Sequence, residues 1–476
     1  MNREKNYIPL TVRKIHLIGI CGTAMGALAL SLKSMGYGVV GSDQAVYPPM
    51  NAFLESHDIL IQKGYSANHI DPDVDLVVIG NTAKADNEEV LATIKRDLPY
   101  CSLPQAVTHF MGKNKKLLVI TGTHGKTTTS SLLAWILESA GYDPSFLIGG
   151  IVKNFNCNFK VGAGDYLVLE GDEYDTAFFD KGPKFMHYPP HSAILTSVEF
   201  DHADIYKDIS AVQAAFRGFV GKMSPESMLF ANDTGEYLEE VIQSCPAPVL
   251  RYGRKLTSDW HLGKVSIHNG RIMFEVYYAK TLFGAFTTTM PGIHNLMNIL
   301  ACIGVLHRVG VTADQILQGL ETFQGIQRRQ EIRGVCNQIT VMDDFAHHPT
   351  AVAETICAVK PFYPKGHVIA VFEPRTNSSR RNFFQNDYPN SFSDADIICI
   401  PKPPMQENID PAERFSSEQL VKDLQEKGKT AYYFESVDDI ISFLKKEARP
   451  NDVILIMSNG GFENIHERLL TALQNL

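Results

Sequence analysis

The stretch LLVITGTHGKTTTSSLLAWIL, residues 117–137, decides how this chain is read. Its first four residues are wholly apolar and mostly branched, the composition of a parallel strand covered on both faces. Gly122 and Gly125 then tolerate backbone angles that other residues resist, and the run from Thr127 opens a helix whose N-terminal amides point back at the turn. An anion fits there. Lys126 offers a mobile positive charge to the β and γ phosphates of a nucleotide, and the Thr127 hydroxyl is placed to hold Mg2+. The full phosphate-loop pattern has glycine at position 120, where this chain has Ile120. Taken alone, the loop leaves an accidental Gly-rich turn open as the alternative.

Length and composition bound what surrounds the loop. A chain of 476 residues is too long for one core, and ordinary domain sizes argue for about three domains. Apolar content of 44% and charged content of 20% describe an ordinary globular protein. The net charge of −9 gives no basic face for nucleic acid, so small-molecule partners are expected and no nucleic acid. No segment approaches a membrane-spanning length, and MNREKNYIPL lacks the apolar centre of a signal peptide, so a cytoplasmic protein without membrane partners is expected. The eight cysteines show no paired spacing, which predicts reduced thiols and no zinc site.

Three blocks of alternating strand and helix follow one another, and we place them at residues 1–113, 114–325 and 326–476. The first opens with KIHLIGICGTAMGALALSLKSMGYGVVGSD, residues 14–43: strand, Gly-rich turn, helix, second strand, then Asp43. That is a βαβ unit, and the apolar run 76–79 continues a parallel sheet. Gly19, Gly22 and Gly26 do not make the G-x-G-x-x-G of a dinucleotide fold. They allow either a diphosphate at the helix N-terminus or close strand-to-helix packing. The third block predicts strands near 338–342, 368–372, 397–400 and 453–457. The fold class is therefore α/β in three domains: a Rossmann-like first domain, a P-loop ATPase-like central domain and a Rossmann-like third.

Acidic and basic residues gather at the predicted strand ends. In YLVLEGDEYDTAFFDKGPKFMHY, residues 166–188, Glu170 ends a strand at the edge where α/β sheets carry ligands, placed as a Mg2+ ligand or water holder. The next strand, 193–198, runs into Glu199-Phe200-Asp201-His202. Either acidic run alone reads as a solvated loop; two beside a phosphate loop favour a metal site. MDDFAHHPT, residues 342–350, clusters Asp344, His347 and His348. Without a matching ligand set or H-E-x-x-H spacing it predicts a nucleotide or substrate contact in preference to zinc. Arg328, Arg329 and Arg333 reach a transferring phosphoryl group only if the third domain closes over the second.

GTHGKTTT (122–129), EGDEYD (170–175), EFDHAD (199–204), GIHNLMN (292–298) and DDFAHHPT (343–350) occur in the order seen in the Mur ligase family, which the chain resembles over nearly its whole length. The resemblance implies an ATP-dependent, ADP-forming amide ligase that uses Mg2+ and attaches an amino acid or peptide to UDP-N-acetylmuramate in bacterial wall metabolism. It assigns Gly122, Thr123, His124, Gly125, Lys126, Thr127 and Thr128 to the ATP phosphates. Thr127 and Glu170 are implied to hold one Mg2+ and His202 to help hold a second, so that Lys126, Glu170 and His202 form the catalytic set. Asn295 and Asn298 resemble the pair that meets the adenine side, with His294 adjacent. Arg329, Asp344 and His348 are implied to reach ATP from the third domain. Gly19, Gly22, Thr23, Gly26, Ser42, Asp43 and Asn81 resemble the site for the UDP-sugar.

Four segments point to one branch of that family: GSDQAVYPPM (41–50), FFDKGPKFMHY (178–188), EPRTN (373–377) and MSNGGF (457–462). They resemble the branch that joins the murein tripeptide L-Ala-γ-D-Glu-meso-diaminopimelate to UDP-N-acetylmuramate in peptidoglycan recycling. The alternative is the branch that adds free L-alanine. For the peptide, Arg375, Asn377, Ser458, Asn459 and Gly460 are the expected donors: a guanidinium fork for a carboxylate, and a glycine that lets backbone amides approach. A surface ion pair is the plainer reading of Arg375. Two departures stand out. Ser197 replaces an asparagine found in many relatives, and Arg217 lies near the place where other branches carry a carbamylated lysine, so that modification is not expected. A monomer or weak homo-oligomer is expected. A dehydrogenase using only the first domain and a P-loop switch using only the second are the rival classes.

Overall fold

Short, fully apolar runs bury themselves as central strands, and three such sets build three sheets. In the first, strands Leu60–Lys63, Gly38–Asp43, Lys14–Ile18, Leu76–Ile79 and Tyr100–Ser102 lie side by side in that order, all parallel. The strand order reverses beside Lys14–Ile18, so its carboxyl end, with the loop from Gly19, faces the crevice where such sheets take ligands. The computed structural model describes residues 3–46, 50–203, 205–404, 406–407 and 409–474. Residues 47–49 of the GSDQAVYPPM segment and Asp204 of EFDHAD lie outside the described residues.

The central sheet has ten strands. Lys116–Thr121 sits between Tyr166–Gly171 and Ser192–Leu195, parallel to both, and feeds the helix Lys126–Ser139. Leu132, Leu133, Ile136 and Leu137 of that helix are buried. Beyond Val249–Gly253 the sheet continues as an antiparallel meander, Trp260–His268, Arg271–Tyr278 and Thr281–Thr288. Sequence reading did not predict this meander: its strands alternate buried and exposed residues, a weaker signal than a continuous apolar run.

A small antiparallel hairpin, Asp175–Ala177 and Asp180–Pro183, projects from the central domain toward the first. Phe178 and Phe179 at its tip pack with Tyr65 and Leu98 against the first domain's core, and the Phe179 ring meets Tyr100 edge-on at 4.9 Å. Asp180 Oδ2 accepts from Ser102 Oγ at 3.1 Å on the first domain and pairs with His187 Nε2 at 2.8 Å. The aromatic run therefore seats one domain on the other.

The third sheet runs Glu331–Cys336, Ile339–Asp344, Val453–Met457, Val368–Phe372, Ile397–Pro401 and Thr430–Phe434. The four expected strands are present. The antiparallel edge strand Glu331–Cys336 and the outer strand Thr430–Phe434 lie outside the expected set, since exposed positions interrupt both and neither forms a continuous apolar run. Asp344, Met457 and Phe372 are register partners at one carboxyl edge, which brings DDFAHHPT, MSNGGF and EPRTN together although they span over a hundred residues of sequence. The link into this domain is anchored: Lys153 N donates to Gly325 O and Gln327 N to Ile151 O.

Candidate active site

The phosphate loop lies between the two acidic edges. Ile120, at the position of the missing glycine, is the register partner of Glu170 on one side and Ile194 on the other. Gly122 and Gly125 adopt φ of 129° and 80°. A side chain at the first would collide with Thr196 and at the second with Asn298, so both glycines are demanded twice over. Lys126 Nζ donates to Gly122 O at 2.6 Å, Thr123 O at 3.3 Å and Glu173 Oε2 at 2.7 Å. Burial disfavours the ammonium, but Glu173 and Asp172 outweigh it and hold the Lys126 pKa above the ordinary lysine value.

Glu173 is the residue that sequence reading passed over. Its other oxygen lies 3.4 Å from His202 Nε2, and its side chain is 3% exposed. Burial pulls the His202 pKa down; Glu173 and Asp201 outweigh it, so the imidazole holds its proton above the usual range. The available signal was the second glutamate of EGDEYD, three residues after Glu170.

Glu170 accepts from the Gly149 amide through Oε2, while its Oε1 is buried with no hydrogen-bond partner. Burial and the neighbouring Asp172 raise its carboxyl pKa, against the Thr127 hydroxyl and the Gly149 amide, which lower it. A buried carboxylate oxygen left without a donor, beside a threonine hydroxyl and a phosphate loop, fits a hard divalent cation such as Mg2+. Asp172 is held by Lys184 Nζ at 3.0 Å, and that ammonium also reaches the Tyr174 hydroxyl at 3.0 Å.

The third domain closes on this edge. Arg329 Nη2 lies 3.5 Å from Thr127 Oγ1, and its guanidinium stacks over Phe345 at 4.9 Å. Of the three junction arginines only Arg329 faces the loop. Arg328 and Arg333 instead pair with buried Asp343, and Arg328 also donates to Ser458 O and Gly460 O. Asp344 accepts from Gln330 N at 2.8 Å and Ala346 N at 2.7 Å, so both its oxygens shape the backbone here. Asn295 Nδ2 reaches Gln330 Oε1 at 3.0 Å, and Asn298 Nδ2 reaches Asn295 Oδ1 at 3.4 Å. His294 is neutral, pushed down to about 4 by burial and by Arg329. Ser378 Oγ donates to Asp201 Oδ1 at 3.0 Å, clamping the loop that carries His202. Ser197 Oγ accepts from His124 N at 3.0 Å.

In the first domain, Gly19 N donates to Ser42 O at 2.8 Å, and Asp43 Oδ2 accepts from Cys21 N at 2.9 Å, so Asp43 shapes the Gly19–Gly26 turn. The Ser42 side chain is fully buried and donates to Glu89, because it lies inward on its strand. Thr23 opens the helix, and Asn81 is exposed. A cleft of about 380 Å³, lined by Gln44, Tyr65, Thr82, Lys84 and Asn87, opens beside Gly19.

The expected peptide donors are more constrained than the sequence implied. Arg375 Nη1 lies 3.4 Å from Glu373 Oε1, and a Cβ on Gly460 would collide with that arginine's side chain. The Gly460 amide donates to Ser458 Oγ at 2.9 Å, so the glycine makes room for Arg375 and its amide is not presented to a ligand. Asn377 Oδ1 accepts from Arg380 Nη2 at 2.7 Å, and Ser458 is fully buried on Glu373. Asn459 Oδ1 is buried without a partner.

Comparison with known proteins shows the family to which the chain belongs. Family models described as the Mur ligase family catalytic domain, the Mur ligase middle domain and the Mur ligase glutamate ligase domain match residues 14–115, 120–306 and 328–460. The chain is 36% identical to the UDP-N-acetylmuramate--L-alanyl-gamma-D-glutamyl-meso-2,6-diaminoheptandioate ligase of Escherichia coli, over 97% of this chain and 98% of that one. It is 32% identical to the UDP-N-acetylmuramate--L-alanine ligase of Clostridium novyi, over 98% and 99%. Its fold is similar to the crystal structure of a murein peptide ligase from Psychrobacter arcticus, with a TM-score of 0.70 and 34% identity over 98% and 99% of the two chains. No helix among the described residues is long and apolar enough to cross a membrane.

Proposed function

Since the chain belongs to the Mur ligase family, whose members are ATP-dependent, ADP-forming amide ligases, we propose that it joins the tripeptide L-Ala-γ-D-Glu-meso-diaminopimelate to UDP-N-acetylmuramate in peptidoglycan recycling. One observation carries the branch. Identity to the tripeptide ligase of Escherichia coli extends over almost the whole of both chains and exceeds that to the alanine ligase of Clostridium novyi.

The residues divide the work as follows. The Gly19–Gly26 turn and the cleft by Tyr65 hold the UDP-sugar, and the Phe178–Phe179 hairpin fixes that cleft relative to the phosphate loop. The muramoyl carboxylate attacks the γ phosphorus of ATP, the bond to ADP breaks, and an acyl phosphate results. Lys126 offsets the charge that spreads over the transferring phosphoryl group, and Arg329 approaches it from the third domain. Thr127 and the unpartnered Glu170 Oε1 would hold Mg2+, which when bound supplies charge neutralisation on the phosphate oxygens. Glu173 holds the Nε2 side of His202, leaving Nδ1 as the nitrogen for a second metal or a proton. The peptide amine then attacks the acyl carbon, phosphate leaves and the amine loses its proton. Closure of the third domain on Asp201 and Thr127 keeps water from the acyl phosphate.

The test is to incubate the chain with ATP, Mg2+ and UDP-N-acetylmuramate, offer tripeptide and L-alanine separately, and weigh the products by mass spectrometry. The tripeptide adduct is expected to dominate. Efficient joining of L-alanine with no tripeptide product would overturn the branch assignment.

A further inference from the structure

One cluster of metal-ligating side chains, two of them expected near ATP, is given no metal role by this mechanism, and it is assembled from three separate motifs. His124 comes from the phosphate loop, Glu199 from the neighbouring strand end and His348 from the third domain. Their donor atoms all lie within 4.8 Å of one another. His124 Nε2 is 3.3 Å and His348 Nδ1 3.7 Å from Glu199 Oε2. Two ligands each about 2.0–2.1 Å from a tetrahedral ion stand about 3.3 Å apart, so small side-chain movements close the set.

The surroundings fit a metal. His348 Nε2 lies 3.1 Å from Phe200 O, the outer hydrogen bond that fixes a ligating histidine with Nδ1 free of its proton. Thr350 Oγ1 donates to Glu199 Oε2 at 2.7 Å, and Thr350 N approaches His348 Nδ1 at 3.3 Å, a contact that ligation would replace.

We propose that His124, Glu199 and His348 form a binding site for a nitrogen-preferring divalent transition-metal ion such as Zn2+, distinct from the Thr127–Glu170 position for Mg2+. Imidazole selects against Mg2+, which prefers oxygen donors. Because His124 and His348 belong to different domains, an ion here bolts the third domain to the phosphate loop.

The experiment uses the full chain without nucleotide or Mg2+. Zn2+ affinity is measured by competition with a chromogenic chelator, and Co2+ is added separately while visible absorbance is followed. One equivalent is expected to bind, with the intense Co2+ bands of a four- or five-coordinate site, and Zn2+ should raise the thermal midpoint. His348→Gln and Glu199→Gln should each weaken binding by more than the roughly 10–100-fold typical of losing an outer hydrogen-bond partner. Glu170→Gln should leave affinity unchanged. Circular dichroism checks that each variant is folded, and the two substitutions lie on different domains, so a folding failure in one leaves the other to decide. Absence of stoichiometric binding, weak octahedral Co2+ bands, full affinity in a folded His348→Gln or Glu199→Gln chain, or loss of the site in Glu170→Gln would each overturn the proposal.

Discussion

Glu173→Gln probes the arrangement most directly, because one buried carboxylate serves both Lys126 and His202. The side chains of Lys126 and Glu173 are 13% and 3% exposed, and their contact is 2.7 Å. Breaking a buried ion pair costs about 3–5 kcal/mol when one charge is left stranded. Here the amide keeps an acceptor, and Lys126 keeps two carbonyl oxygens and the field of Asp172. The cost should therefore be nearer that of one charge-assisted hydrogen bond, about 2 kcal/mol. For a unit of this size that lowers the midpoint by about 4–8 °C. The pH dependence separates the two partners. The folded-state pKa of His202 is raised, so its contribution is complete below the ordinary value near 6.5 and is lost as pH rises through the folded value. The Lys126 pKa is raised from 10.5, so its contribution is constant across the neutral range. The midpoint gap between wild type and variant should thus be larger at pH 6 than at pH 8.5, as read by scanning fluorimetry of the nucleotide-free chain. An equal gap at both pH values, or none, would refute the bridging role of Glu173.

Lys126→Ala should preserve the fold but reduce ATP-dependent product formation by at least about a hundredfold, since the transferring phosphoryl group loses its main protein cation; near-normal turnover would remove Lys126 from the mechanism. Glu170→Gln should shift the Mg2+ titration of turnover upward by about tenfold or more, because a charged oxygen ligand is lost. Its folded-state pKa is raised, so the ionised form opposes folding at neutral pH. The same variant should therefore gain thermal stability at pH 7.5 and show little gain at pH 4, measured without metal. Arg375→Ala should raise the Michaelis constant for tripeptide more than that for ATP; equal changes would reduce Arg375 to its ion pair with Glu373. Phe179→Ala removes an aromatic contact of about 0.5–1.5 kcal/mol between hairpin and first domain, and should raise the Michaelis constant for UDP-N-acetylmuramate more than that for ATP.

What the sequence by itself determined was local. The apolar runs at Lys14–Ile18, Lys116–Thr121 and Val368–Phe372 had to become buried parallel strands, and Gly122 and Gly125 had to turn the chain into a helix over an anion site, because strand burial and turn geometry depend on neighbours within a few residues. The order of the motifs carried the rest of the family likeness. Side-chain partnerships were decided only in three dimensions. Ser42 turned inward to Glu89, Arg328 and Arg333 turned to Asp343, and Glu173 came to bridge Lys126 and His202. The same holds for His124, Glu199 and His348: the HH pair had no matching ligands along the chain, and packing of the third domain on the second supplied them from 149 and 224 residues away. Sequence spacing constrains groups on one turn or strand, whereas such pairs depend on how sheets stack and domains close, which is set by burial summed over the whole chain.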